Sequence, residues 1–187
     1  EAHGAQLVLA NDPDADRLAV AALHEGRYVT LTGNEIGCLF AHYLLEQGPK
    51  APNRLVVASV VSSPMVVAIG EAHGAWAELT LTGHKWIQNR GLELEAREGL
   101  RFVFGYEEAL GYAVSPGVRD KDGISAAVLM ADLAAWCASQ GRTLVGELER
   151  MWRLYGMFLS EQVSIVRTGV ERARSIRAAM TKARTDA

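Results

Sequence analysis

The pattern of hydrophobic and polar residues divides the chain into short apolar runs and longer stretches in which apolar residues recur every three or four positions. The short runs have the length and composition of strands, and the run at 55–61 is apolar on both faces, as in a parallel sheet covered by helices. The predicted strands are residues 7–10, 18–23, 28–31, 55–61, 76–81, 101–104 and 158–166. A turn at 24–27 is expected to join the second and third strands as a hairpin.

Helical spacing follows most of the later runs. Thr32 and Glu35 form the pattern of a capping box and predict a helix start, while Ser63 and Pro64 predict the start of the next helix. The other predicted helices are the Glu- and Arg-rich stretch after residue 85, residues 122–140, 143–155 and the weakly amphipathic 167–187. Because strands and helices alternate, the sequence predicts an α/β fold with a mainly parallel sheet flanked by helices in α/β/α layers.

Composition narrows the class of protein. The 187 residues are 49% hydrophobic and 22% charged, which is typical of one globular domain or slightly more. The net charge of −3 gives no basic field for nucleic acid, and no apolar run approaches the roughly 20 residues that span a bilayer. Cys38 and Cys137 are expected to be buried free thiols, as in a reducing compartment. The sequence therefore favours a cytoplasmic protein that binds neither nucleic acid nor membrane.

Three aspartates occupy alternate positions directly after the first predicted strand. Asp12, Asp14 and Asp16 lie in a segment whose proline keeps it out of a strand interior. Carboxylates held close together repel each other unless a cation or protons neutralise them, and Mg²⁺ prefers such oxygen ligands. The pattern indicates either a magnesium site or a solvated acidic turn. It does not fit an EF-hand, because Arg17 and Leu23 stand where that loop has glycine and glutamate.

A second acidic group is the pair Glu107 and Glu108, which follows a predicted strand between Gly105 and Gly111. Ligands of open α/β sheets bind at the carboxyl ends of strands, and carboxylates accept hydrogen bonds from sugar hydroxyls. The alternative is the start of a helix, where the helix dipole favours acidic residues. The pair is therefore a candidate either for sugar binding or for a helix start.

Two further segments carry candidates for phosphate binding or proton transfer. Lys121 stands before a helix predicted to begin at Asp122, and such a helix start suits an anion, although a charged cap explains it equally well. His84 and Lys85 lie in a predicted loop, where the histidine either takes part in proton transfer or is structural. The remaining histidines are expected on the surface or on helix faces; they are His3, His24, His42 and His73.

In the order in which they follow one another along the chain, these segments resemble motifs of the α-D-phosphohexomutases, the phosphoglucomutase and phosphomannomutase superfamily. The segment D-P-D-A-D-R at 12–17 is similar to the family's metal loop. This resemblance implies that Asp12, Asp14 and Asp16 hold Mg²⁺, with Arg17 beside the metal. The candidate catalytic residues by the same resemblance, in the metal loop, the T-G-H-K loop and the K-D-G segment, are Arg17, His84, Lys85 and Lys121.

The segment G-Y-E-E-A-L-G-Y at 105–112 resembles the family's sugar-recognition loop. The resemblance implies that Glu107 binds sugar hydroxyls, with Glu108 beside it and Ala109 in place of the family's serine. These three residues are the candidate substrate-binding group. This form of the loop, followed by D-K-D-G, looks most like the phosphopentomutase branch and leaves hexose and pentose phosphates both open.

The resemblance implies a Mg²⁺-dependent mutase that moves phosphate between the C1 and terminal hydroxyls of a phosphosugar through a phosphoserine and a bisphosphate. It implies that residues 1–31 end a second domain, 32–155 form a third, and 156–187 lead as a strand and a basic helix toward another. The family's phosphoserine loop does not occur in the sequence, so the chain alone is expected to be inactive and to act with other domains of the same protein. Two other interpretations stay open: a hydrolase with Asp12 as nucleophile, and a non-catalytic module that binds metal or sugar phosphate.

Overall fold

Seven strands and six helices make up the part of the chain that the structure, a computed structural model, describes, which is residues 4–160 and 172–185. The strands are β1 (Leu7–Asn11), β2 (Leu18–His24), β3 (Arg27–Leu31), β4 (Arg54–Ser59), β5 (Trp76–Thr80), β6 (Arg101–Glu107) and β7 (Gly111–Ala113). The helices are α1 (Gly33–Gln47), α2 (Met65–Ala72), α3 (His84–Glu98), α4 (Gly123–Ser139), α5 (Leu144–Tyr155) and α6 (Arg172–Thr185).

The first three strands form an antiparallel sheet in the order β1-β2-β3. The predicted hairpin between β2 and β3 is confirmed, and its two turn residues, Glu25 and Gly26, both have positive φ, at 49° and 79°. Two consecutive residues of this kind give the turn a twist that matches the twist of the flanking strands. The hairpin directs the chain back toward the acidic segment and into α1.

The second sheet has the order β5-β4-β6-β7 and is mainly parallel, as predicted. Strands β5 and β6 both run parallel to β4, and only β7 runs antiparallel to its neighbour β6. Every residue of β4 is buried, which confirms that the apolar run near 55 is a strand covered on both faces. Helix α2 therefore connects β4 to β5 and helix α3 connects β5 to β6, and the carboxyl ends of these three strands lie at the same edge of the sheet.

Helix α1 is the central helix of the core. Its predicted capping box is present, because the Thr32 side chain accepts from the Glu35 backbone and the Glu35 carboxylate accepts from the Thr32 backbone. Residues 36–42 are buried all around the helix, so it is enclosed rather than amphipathic. At Gly37 an added Cβ would lie 2.3 Å from the Tyr106 ring, so the absent side chain lets β6 approach.

Several element boundaries differ from the prediction. Strand β4 ends at Ser59, where residues 60–62 turn away from the sheet, and β6 continues through Glu107 instead of ending near residue 104. The predicted strand at 158–166 is not present at residues 158–160, and its remainder lies outside the described residues. Among the described residues no single helix has the length and hydropathy to cross a membrane; α4 and α5 do so only as a pair bent by 79°.

A buried polar cluster joins α1 to α5. The Glu147 carboxylate is fully buried and accepts hydrogen bonds from Arg142 and Arg150, and the His42 ring lies 3.2 Å from it. The other ring nitrogen of His42 is 2.8 Å from the hydroxyl of Tyr155. His42 therefore lies on a helix face, one of the two positions expected for it, and is buried there instead of reaching the surface. Its pKa is lowered to about 4 because burial disfavours the charged ring.

Candidate active site

Three loops that the sequence singled out meet at the carboxyl end of the second sheet. Glu107 ends β6, and the T-G-H-K segment follows β5. The acidic segment reaches them from the first sheet, because Arg17 forms a bridge with Gly111 and the backbone N–H of Leu18 donates to the carbonyl of Leu110. The sheet order places the carboxyl ends of β5 and β6, and with them the T-G-H-K segment and Glu107, at the same edge.

The acidic loop is held by its own backbone. The Oδ1 atom of Asp12 accepts from the backbone N–H of Asp16 at 3.2 Å and from that of Arg17 at 3.1 Å. Ala15, between these donors and Asp14, has a φ of 56°, a conformation that few non-glycine residues adopt. The side chain of Asp12 therefore fixes a tight turn and keeps its second oxygen free of these backbone bonds.

The same loop is docked on the start of α4. Lys121 Nζ lies 2.9 Å from Asp16 Oδ2, and the backbone N–H of Gly123 donates to the carbonyl of Ala15 at 3.1 Å. A Cβ at Gly123 would lie 2.4 Å from the carbonyl oxygen of Arg17, so only glycine permits this approach. The hydrogen bond from Lys121 lowers the pKa of Asp16, and Asp16 raises the pKa of Lys121. Asp122 caps α4 as predicted, by accepting from the first backbone N–H groups of the helix.

The donor set of the acidic loop suits a hard cation, but its present arrangement does not form a cage. Three carboxylates lie within five residues, and oxygen ligands of this kind are those that Mg²⁺ prefers. Across residues 4–160 and 172–185 no group of three or more metal-binding side chains is placed to share one ion. Asp16 is instead engaged by Lys121. The residue types therefore fit magnesium, provided that Asp16 exchanges the ammonium group for the ion.

Glu107 is fixed from the side of α3. Its Oε1 atom accepts from the backbone N–H of Gly83 at 2.7 Å, and its Oε2 atom lies 3.7 Å from Nε2 of His84. The His84 side chain is buried, and neither ring nitrogen has a hydrogen-bond partner among the described residues. Burial lowers the pKa of His84, so its imidazole is neutral at pH 7. A neutral buried ring beside a carboxylate can accept or donate a proton.

The turn that carries Glu108 and Ala109 is a hairpin between β6 and β7, not a loop that opens a helix. This finding excludes the interpretation of the acidic pair as a helix start. Leu110 closes the turn with a φ of 65°. Behind it, Gly111 lies between two candidate side chains, because a Cβ there would be 3.0 Å from both the His84 ring and the Lys121 side chain.

The remaining predicted residues are exposed at the rim of this region. Arg17 lies 3.9 Å from Asp16 and has a half-exposed side chain. Lys85 places its ammonium group over the ring of Trp86, and Ala109 is an exposed turn residue. The structure thus brings together Asp16, Lys121, His84 and Glu107, with the other candidates around them.

The sequence did not identify the residues that hold this arrangement. Ser59 donates to Glu108, while Gly33, Gly111 and Gly123 provide space for neighbouring chain segments. A glycine directly after a helix cap, as at positions 33 and 123, is a signal that could have indicated close approach of another backbone. Ser59 lies at the end of an apolar strand, and only its partner in space gives it a role.

Comparison with known proteins places this arrangement in a family. Residues 32–155 match the model of phosphoglucomutase/phosphomannomutase, alpha/beta/alpha domain III. The chain is 42% identical over 163 residues to a probable phosphomannomutase of Haemophilus influenzae, covering 86% of this chain and 32% of that protein. It is 39% identical over 165 residues to a human phosphopentomutase, covering 84% of this chain and 27% of the relative. The chain therefore spans about a third or less of these relatives.

The fold agrees with solved structures. A putative phosphomannomutase from Thermus thermophilus superimposes with a TM-score of 0.66 at 24% identity, covering 81% of this chain and 31% of that one. At this identity the likeness concerns the fold alone, and it agrees with the helix-flanked sheet described above. Together with the domain match over most of the described residues, these similarities show that the chain belongs to the phosphoglucomutase/phosphomannomutase family of the α-D-phosphohexomutase superfamily.

Proposed function

We propose that this chain is part of a phosphosugar mutase that moves a phosphoryl group between the C1 hydroxyl and the terminal hydroxyl of one sugar. The observation that carries the proposal is the meeting of a carboxylate, a buried imidazole and a lysine at one sheet edge, in Glu107, His84 and Lys121. Two relatives, a probable phosphomannomutase and a phosphopentomutase, are named for phosphosugar substrates, which supports the proposal. The proposal extends to the whole natural protein, of which this chain supplies part of the active site.

Each residue has a role that follows from its chemistry. The Glu107 carboxylate accepts hydrogen bonds from ring hydroxyls and so orients the sugar. Lys121 and Arg17 provide positive charge that attracts phosphate, and Lys85 adds to it at the rim. His84 takes a proton from the attacking hydroxyl or returns one to the leaving oxygen, since its neutral ring has a free nitrogen. Glu108 and Ala109 complete the turn that faces the sugar.

Asp12, Asp14 and Asp16 would hold Mg²⁺ in this proposal. A bound Mg²⁺ neutralises charge that develops on a transferred phosphoryl group. Asp12 is prepared for this role because the backbone N–H groups of residues 16 and 17 orient one of its oxygens. Lys121 engages Oδ2 of Asp16 at 2.9 Å, so an ion held by all three aspartates would share this carboxylate with the ammonium group.

Turnover by the complete natural protein tests the proposed function. We expect it to convert glucose 1-phosphate, mannose 1-phosphate or ribose 1-phosphate to the corresponding terminal phosphate, and to require a phosphoserine supplied outside these 187 residues. The purified 187-residue chain is expected to bind a sugar phosphate but not to isomerise it. The measurement is ³¹P NMR of each sugar phosphate with each protein. Absence of turnover of all three sugars by the complete protein contradicts the proposal.

Magnesium binding to the acidic loop gives a separate prediction. Asp14→Asn is expected to weaken Mg²⁺ binding roughly tenfold, because one charged ligand becomes a neutral one while the turn held by Asp12 stays intact. Calorimetric titration with MgCl₂ measures the change directly. Glu25→Gln, in the exposed turn between β2 and β3, is the matched control and should bind as the wild type does. Equal Mg²⁺ affinity in the wild type and in a variant with all three aspartates changed to asparagine contradicts the assignment.

A further inference from the structure

A cavity of about 640 Å³ lies beside the turn between β6 and β7, on the side of α1. The residues that line it are Thr32, Gly33, Asn34, Val61, Thr82, Glu108 and Ser160. Glu108 is the one charged side chain of this set, and the others offer hydroxyl, amide or apolar surface. Without a lysine or arginine on its described walls, this cavity does not favour phosphate. Its chemistry suits a neutral ligand that is rich in hydroxyl groups.

The Glu108 carboxylate is held on the wall of this cavity. The hydroxyl of Ser59 donates to Glu108 Oε2 at 3.1 Å, and the hydroxyl of Ser62 lies 2.7 Å from that of Ser59. Since the proton of Ser59 is given to Glu108, Ser62 donates to the oxygen of Ser59. Both serines are buried at the end of β4, so water does not compete for these hydrogen bonds. The carboxylate is therefore oriented before any ligand arrives.

The backbone fixes the same residue from a second direction. The carbonyl oxygen of Glu108 lies where a Cβ of Gly33 would be, at 1.8 Å from its ideal position. The turn thus rests on the first residue of α1. A shift of Glu108 toward the helix is prevented by this contact, and a shift away from it would break the hydrogen bond to Ser59.

One oxygen of the held carboxylate remains available. Oε1 of Glu108 has no hydrogen-bond partner within the described part of the chain, whereas the two oxygens of Glu107 face Gly83 and His84. A fixed, partly buried carboxylate oxygen on a cavity wall forms a strong charge-assisted bond with a hydroxyl donor. The two glutamates of this turn therefore present separate acceptors, each held by its own partners.

We propose that Glu108 accepts a hydrogen bond from a hydroxyl of the substrate sugar in this cavity, in addition to the hydrogen bonds that Glu107 accepts. We propose also that Ser59 is the residue that positions Glu108. The inference rests on the proposed function, because the ligand it assigns is the ring of a phosphosugar. It adds a second polyol contact to the site. Ser59 does not touch the sugar and acts only through the carboxylate.

Binding measurements on the complete natural protein test this assignment, with glucose 1-phosphate and inorganic phosphate as the two probes in isothermal titration. Glu108→Ala should weaken glucose 1-phosphate roughly ten- to a hundredfold, as expected for one charge-assisted hydrogen bond, and leave inorganic phosphate unchanged. Ser59→Ala should weaken the sugar phosphate by about three- to tenfold, because an unheld carboxylate must be ordered on binding. The double variant should bind no more weakly than Glu108→Ala alone.

A matched control lies in the same loop. Ser63 is also buried, but its hydroxyl accepts from the backbone N–H of Met65 and makes no hydrogen bond with Glu108. Ser63→Ala should therefore alter stability without altering the affinity for glucose 1-phosphate. Circular dichroism of every variant checks that the fold is kept.

The hydroxyl that Glu108 accepts can be identified with glucose 1-phosphates that each lack one hydroxyl. In the wild type, one of these analogues should bind more weakly than glucose 1-phosphate. In Glu108→Ala the same analogue and glucose 1-phosphate should bind equally well, because the carboxylate that accepts the hydroxyl's hydrogen bond is already absent. Wild-type affinity of Glu108→Ala, or additive effects of Ser59→Ala and Glu108→Ala, overturns the inference alone. A wild-type protein that binds no sugar phosphate overturns the proposed function along with it.

Discussion

Glu147→Ala is expected to lower the free energy of unfolding by about 3 kcal/mol, the lower end of the cost of removing one partner from a buried ion pair. The alanine leaves Arg142 and Arg150 without their shared carboxylate, and both guanidinium groups are only about one third exposed. It also removes the carboxylate that lies 3.2 Å from the His42 ring, so the contact between α1 and α5 loses its centre. Urea denaturation at pH 7 measures the change.

The pH dependence of Glu147→Gln separates charge from packing. Burial alone would raise the pKa of Glu147. The hydrogen bond and charge of Arg150, together with the charge of Arg142, lower it by a larger amount, so the pKa lies below its ordinary value of 4.5. Stability from a lowered carboxyl pKa is present above 4.5 and is lost as the pH falls through the native value. The stability gap between wild type and Glu147→Gln should therefore shrink below about pH 4.5.

The neighbouring Glu149 provides a control on the same helix. Its carboxylate is 42% exposed and pairs with Arg153 and His24 at 3.8 and 4.0 Å, so Glu149→Ala should cost about 0–1 kcal/mol. If Glu147→Ala is no less stable than Glu149→Ala, the buried cluster does not stabilise the packing of α5 on α1.

Local signals in the sequence were sufficient for the elements that surround the site. The β-branched run before residue 60 identified a strand that is covered on both faces, and the pair Thr32 and Glu35 identified the start of α1. Both are decided by nearby residues, through burial on two faces and through reciprocal capping. The same holds for Asp122, which was expected as a cap and accepts from the first turn of α4.

The hairpin between β6 and β7 could not be predicted in this way. Short hairpin turns are usually marked by asparagine or aspartate with glycine, whereas this turn places Leu110 at a positive φ. The conformation is imposed from outside, because the carbonyl of Leu110 accepts from the backbone of Leu18 in the other sheet. A contact across 92 residues has no local pattern.

The contacts between charged and polar groups could likewise not be predicted from the spacing of residues in the sequence. Asp16 and Lys121 were each predicted to be site residues, but their direct contact follows from the docking of the acidic loop on α4. His42 was expected on a surface or helix face, yet its place among the buried residues of α1 agrees with the helical period of its apolar neighbours. Periodicity alone does not show which side of an apolar helix reaches solvent.

Glu107→Gln is expected to lower kcat/KM for sugar phosphates by roughly ten- to a thousandfold in the complete natural protein. A carboxylate that accepts from two sugar hydroxyls contributes on the order of 1.5–3 kcal/mol for each charged hydrogen bond, and 1.4 kcal/mol is about tenfold in rate. Steady-state kinetics with glucose 1-phosphate and ribose 1-phosphate measure the loss for hexose and pentose substrates separately.

Glutamine is the informative substitution because it keeps the structural role of this side chain. Gly83, the residue that precedes α3, has no side chain to cap the helix, and the Glu107 carboxylate accepts its backbone N–H at 2.7 Å. The amide oxygen of glutamine can accept the same hydrogen bond, so the start of α3 and the position of His84 are kept. Glu107→Ala removes cap and ligand together and is expected to lose stability as well.

The control for Glu107→Gln is a reaction that involves no sugar. Phosphorylation of the protein by a small phosphate donor without a sugar ring should proceed at nearly the wild-type rate, because no ring hydroxyl is bound in that step. A variant that loses sugar turnover but keeps this reaction places Glu107 at the sugar. If Glu107→Gln instead keeps wild-type kcat/KM on both sugars, the carboxylate serves only to cap α3, and the sugar must be recognised by other residues.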